Sequence, residues 1–142
     1  MTIHRNSRHL GHPPLAYAAL ILGLPLAACD SMETRTQEVT ATAYTLSEAE
    51  TKKGNVGLAA WGDQLEPGMK AIAVSRDLIP LGLGHETVVT IEGLDGEYVV
   101  RDKMNRRWAS KIDILMNDRA TALEWGKQTV TITWQMPESD PE

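Results

Sequence analysis

The sequence predicts a mainly β domain: six short strands closed into a small barrel, with one short helix. Three observations carry this. Six segments between residues 39 and 134 show period-two alternation or short β-branched apolar runs. Turn signals containing Gly or Pro separate several of them. About 100 residues remain once the terminal segments are set aside, enough for one core and no second domain, and closure removes the exposed edges of so small a sheet.

The first strand falls on residues 39–45, VTATAYT, which alternate. Glu66-Pro67-Gly68 then turns the chain into a short apolar strand at residues 71–75. Pro80-Leu81-Gly82-Leu83-Gly84 is the next corner. Residues 87–91 and 97–101 flank Leu94-Asp95-Gly96, a hairpin signal. Residues 111–115 make the fifth strand. The helix follows, with Asn117 or Asp118 as N-cap, Ala120, Leu123 and Glu124 at three- and four-residue spacing, and Gly126 as its stop. The sixth strand covers residues 129–134, where Val130, Ile132 and Trp134 share a face. No internal repeat or low-complexity tract interrupts this order.

Ahead of the domain, Arg5 and Arg8 precede an apolar run at residues 15–28 that ends at Cys29. The run is short for a membrane span and is broken by Gly23 and Pro25, so it reads as a secretory leader, residues 1–28. Leu26-Ala27-Ala28-Cys29 resembles a bacterial lipobox, which implies acylation of Cys29 and cleavage before it. Cys29 is the single cysteine, so an internal disulfide is excluded. Residues 29–38 read as the acylated cysteine and a polar tether, residues 39–135 as the barrel, and residues 136–142 as an acidic tail. The resulting location is the cell envelope, on the periplasmic face of a bacterial membrane. Asp30 after the acylated cysteine favours the inner membrane in enteric bacteria, whereas a short tether suits the outer membrane, and the choice stays open.

Removing the leader leaves 12 basic against 19 acidic residues, a net charge of −7. That excludes nucleic acid as a natural partner. Three of the four histidines leave with the leader, so a metal site would rest on His85 and carboxylates. No metal or other cofactor is expected, and His85 reads as a solvated turn residue.

Two acids stand out. Asp113 lies between Ile112 and Ile114, so if those point into a core, Asp113 faces outward. Asp102 closes the apolar run at residues 98–100, eleven positions earlier. Two acids on rigid strand ends can share a groove, where one charge raises the pKa of the other and makes a general acid available. The alternative is that both are solvated strand-end residues.

The order VTATAYT, EPGMKAIAVSRDLIPLG, TVVTIEGLDGEYVVRDKMN, KIDILM and ATALEWGKQTVTITW resembles the 3D domain, named for three aspartates. That group is related to the double-psi β-barrels of membrane-bound lytic transglycosylase A and, more distantly, of expansins. The resemblance implies a six-stranded double-psi β-barrel whose partner is the glycan strand of peptidoglycan. It places Asp113 as general acid, Asp102 as its neighbouring acid and Asp77 as the first of the three. The chain departs from the family pattern in carrying Ser75 where an Asp is usual, with Asp77 two residues later. Asp102-Lys103-Met104-Asn105 likewise replaces a glycine-rich D-T-G-G.

An active domain of this kind would be a lytic transglycosylase. Arg106 and Arg107 would then steer glycan carboxylates, and Trp108 and Trp61 would stack on sugar rings. For each there is a plainer role: a solvated arginine pair, and tryptophans packing the barrel rim. Two further functions compete with the enzyme, a glycan-binding or wall-loosening module without turnover, and an interaction scaffold.

Overall fold

The computed structural model describes residues 31–47 and 54–137. The expected leader, Cys29 and the acidic tail from residue 138 lie outside the described residues. Alternation works as the sequence suggests: Val39, Ala41, Ile72, Val74, Val89, Ile91, Tyr98, Val100, Ile112, Ile114, Val130, Ile132 and Trp134 all point inward and form one core. They sit on six strands: β1 (Met32–Tyr44), β2 (Ala71–Val74), β3 (Val88–Ile91), β4 (Glu97–Lys103), β5 (Lys111–Leu115) and β6 (Gln128–Pro137).

These close in the order β1-β5-β2-β4-β3-β6. Two of the pairings, β1 with β5 and β2 with β4, are parallel, and the other four are antiparallel. Neither parallel pair is consecutive in the chain, so the connections cross over the barrel ends. Among the described residues the molecule is a six-stranded double-psi β-barrel with one short helix.

Strand β1 begins at Met32, not at Val39, so the stretch expected to be a tether is strand from Met32 onward. Residues 32–38 pair with β6 from Pro137 back to Thr131. This ribbon is mostly exposed on both faces and therefore carries no apolar alternation for the sequence to display.

The Leu94-Asp95-Gly96 signal does join an antiparallel pair, β3 and β4. A short 3-10 helix, Arg76–Leu81, occupies the corner after β2. The helix α1 (Arg119–Trp125) starts where its cap predicts: Asp118 accepts from Thr121 N at 2.8 Å, and the Gly126 N–H donates to Ala122 O. No residue of α1 is buried, and Leu123 is 67% exposed.

Candidate functional site

Asp113 faces outward because Ile112 and Ile114 face in, as the alternation requires. Asp102 is less simple. It shares parity with Tyr98 and Val100, both of which point into the core, and strict alternation would bury it. A β-bulge prevents this. Ile72 pairs with Val100 but Ala73 pairs with Asp102, which leaves Arg101 as the extra residue and turns Asp102 to the outer face.

Ala73 also pairs with Asp113 on its other side, and Asp113 pairs with Thr42. One row, Thr42, Asp113, Ala73 and Asp102, therefore crosses four strands on the outside of the barrel. Two strand spacings separate the acids, about 10 Å between Cα atoms. The methyl of Ala73, 6% exposed, keeps the floor between them low.

Both carboxylates are held. Thr42 Oγ1 donates to Asp113 Oδ1 at 3.0 Å. Asp102 Oδ1 accepts from Ala60 N at 2.7 Å and from Lys103 N at 2.8 Å. Beside them, Tyr44 Oη is buried with no hydrogen-bond partner among the described residues. Burial pushes this hydroxyl's pKa up, and the charges of Asp102 and Asp113 push it further, so Tyr44 is a neutral donor at any physiological pH.

The next outer row, Tyr44, Leu115 and Ala71, is covered by a strap at residues 54–66. Its Ala59 and Leu65 form a second small core against these residues. The strap closes on itself through the Leu58–Gln64 bridge and the bond from Leu65 N to Gly57 O. Gly57 has φ +80°, and a Cβ there would meet Leu65 O at 2.5 Å, so the tight return needs glycine. Between strap and barrel lies a cleft of about 340 Å³, lined by Tyr44, Leu46, Leu58, Ala59, Leu65 and Asp102 among others.

Trp61, at the tip of the strap, is half-buried against the core. Its ring lies 5.1 Å from the His85 ring and 5.2 Å from Lys103 Nζ. His85 is the exposed turn residue that the sequence suggests, but it is not idle: its Nε2 meets Asp63 Oδ2, while Arg101 NH1 reaches Asp63 Oδ1 and Glu86 Oε1, each at 3.2 Å. This cluster latches the strap to the barrel.

Trp108 is 38% exposed, with Lys111 Nζ 3.7 Å from its ring centroid and the Arg107 guanidinium at 5.0 Å. Lys111 precedes Asp113 by two residues on β5 and so lies on the same face. Arg106 and Arg107 are exposed in the same loop.

Asp77 plays another part. Its Oδ2 accepts from Ser110 N at 2.8 Å and from Ser110 Oγ at 3.5 Å. Slight burial raises its pKa, but the bonds from Ser75 and Ser110 outweigh that and hold it below the usual carboxylate range. Ser110, at φ +46°, sits where β5 starts, so Asp77 fixes the entry to that strand. Ser75 is fully buried and binds Lys111 in both directions, accepting at Oγ from Lys111 N and donating its own N–H to Lys111 O. The structure thus brings Asp102 and Asp113 to one face and Asp77 to its edge. Thr42 and Tyr44 carry no role in the sequence reading, although both lie in the quoted VTATAYT motif. Among the described residues no group of three or more His, Cys, Asp or Glu side chains is placed to hold a metal ion.

No protein-family model matches the chain. It is 36% identical over 96 residues to the cell wall-binding protein YocH of Bacillus subtilis (strain 168), covering 66% of this chain and 30% of that protein. It is 35% identical over 96 residues to YabE of the same organism, whose name assigns it to cell wall shaping, covering 66% of this chain and 21% of YabE. The chain therefore spans less than a third of the length of either relative. Among solved structures it resembles an expansin of Clavibacter michiganensis, with a TM-score of 0.48, 18% identity and coverage of 76% of this chain and 52% of that one. A variant of that expansin crystallised with cellohexaose gives a TM-score of 0.42 at the same identity and coverage.

Proposed function

We propose that this protein is a cell-envelope lipoprotein, anchored through acylated Cys29, whose barrel binds peptidoglycan glycan strands and cleaves them as a lytic transglycosylase. The observation that carries the proposal is the outer row Thr42, Asp113, Ala73 and Asp102, two oriented carboxylates across a low floor. Trp108 and the Lys111 ammonium at one side, and Trp61 and Lys103 at the other, supply aromatic faces and positive charge suited to an anionic glycan. The similarity to proteins named for binding and shaping the cell wall supports the same substrate class.

In this reading protonated Asp113 gives its proton to the glycosidic oxygen between N-acetylmuramic acid and N-acetylglucosamine as the C1–O bond breaks. The resulting carboxylate then takes the proton of the muramic 6-hydroxyl while that oxygen bonds to C1. A 1,6-anhydro end results and no water is consumed. Thr42 orients Asp113, and Asp102 is the second acid of the groove, held by two backbone amides. Asp77 acts from the edge by positioning β5.

One observation favours a module that binds without turnover. Asp102 Oδ1 is engaged by the strap and by its own strand, which is also what a structural carboxylate would do. Incubating the full chain with purified sacculi separates the two. Anhydro-muropeptides in the supernatant establish the enzyme; co-sedimentation with no product establishes the binding module; neither result overturns both.

A further inference from the structure

The cleft beneath the strap has a composition that the general acid does not need. Of about 340 Å³, it sits at the small end of ligand pockets and is too small for a run of sugars. Its wall is apolar, from Leu46, Leu58, Ala59 and Leu65. Three polar side chains line it, Asn55, Tyr44 and Asp102, and the last two have opposite hydrogen-bonding sense. Tyr44 Oη is a donor with no partner among the described residues. Asp102 uses Oδ1 for two backbone amides, and its Oδ2 has no partner among the described residues.

One acceptor, one donor and a small apolar wall are together the complement of a secondary acetamide, which has one N–H, one C=O and one methyl. We propose that this cleft is a subsite for the 2-acetamido group of an amino sugar, with the N–H donating to Asp102 and the carbonyl accepting from Tyr44. The methyl lies against the leucines and Ala59. The proposal rests on the glycan-binding reading above and deepens it, because it assigns the groove to N-acetylated glycans in preference to plain β-1,4-glucans.

The energetic reason for such selectivity is asymmetry. An acetamide satisfies a buried phenol that has no partner among the described residues, whereas a glucose hydroxyl at the same carbon is too short to reach across the cleft and fill its apolar wall. Tyr44 Oη is covered in the unliganded molecule, so occupancy lifts the strap. The strap rests on the barrel through the Ala60 bond to Asp102 and the Asp63 latch, and it can move without opening a barrel ladder.

The test uses the full chain with two probes of the same β-1,4 backbone, chitohexaose and cellohexaose, titrated by calorimetry alongside co-sedimentation with sacculi. The expected result is at least a tenfold tighter affinity for chitohexaose. Tyr44→Phe, which keeps the ring, and Leu58→Asp, at a position 53% exposed, should each reduce that preference to threefold or less. Equal affinity for the two probes with sacculi still bound overturns the acetamido subsite and leaves the glycan reading standing. A preference that survives both substitutions also overturns it. Failure to bind sacculi or either probe overturns the glycan reading together with the subsite.

Discussion

Asp113 and Asp102 occupy equivalent places on either side of Ala73, yet their bonds differ in kind. Asp113 is oriented by a side chain, Thr42, and Asp102 by backbone amides. Asp113→Asn keeps size and most hydrogen bonding but has no proton to deliver, so release of anhydro-muropeptides should fall by about two orders of magnitude or more, with sacculus binding retained. Asp102→Asn should cost less in turnover but should loosen the strap, seen as faster proteolysis within residues 54–66. Tyr44 gives a signature in pH. Its pKa is raised in the fold, so the unfolded chain loses the phenolic proton first as pH climbs past the ordinary value of 10.0. The stabilisation is present below that pH and is lost above it. Urea midpoints measured between about pH 9 and 11 should therefore decline, and Tyr44→Phe should flatten the decline. Some slope will persist, because burial also raises Tyr98, with Asp95 adding to the effect.

At the scale of elements, the strands and their outward acids were legible to different degrees. Asp113 could be placed from its two isoleucine neighbours because alternation is local. Asp102 could not, since its direction depends on a bulge, and a bulge is a property of how β2 and β4 register rather than of either strand. The latch of His85, Asp63 and Arg101 was invisible for the same reason: its members are 22 and 38 residues apart in the chain. The strand at residues 32–38 was missed because a ribbon exposed on both faces has no apolar period. Helix α1 shows the converse, a start and a stop fixed by local chemistry at Asp118 and Gly126. Asp118→Ala removes the cap to Thr121 and should lower the midpoint of denaturant unfolding. Sacculus binding should be unchanged, because α1 contributes nothing to the acid row.

The whole molecule depends on that ribbon more than its exposure suggests. Residues 32–38 supply seven of the ten registered pairs between β1 and β6. A chain beginning at residue 39 should leave most of β6 unpaired on one side and melt at least about 10 °C below a chain beginning at residue 31. An equal melting temperature would show the ribbon to be dispensable. Circular dichroism of the longer form should be dominated by strand and should not respond to a chelator.

Strand β1 also sets how the barrel bears load. Thr42, in the acid row, lies ten residues along β1 from Met32, about 33 Å of strand. A pull between Met32 and a glycan gripped at β5 runs along the ladder that joins the two strands, which are parallel. Its hydrogen bonds are then strained together, in shear. A pull between Met32 and Pro137, adjacent ends of an antiparallel pair, strains one bond at a time, as in a zip. Single-molecule stretching with handles at Ser31 and Asn117 should rupture at several times the force needed with handles at Ser31 and Pro137. A protein tethered on the Met32 side and holding the wall at the groove would therefore work as a mechanical coupling, stiffest along the line on which membrane and wall are drawn apart.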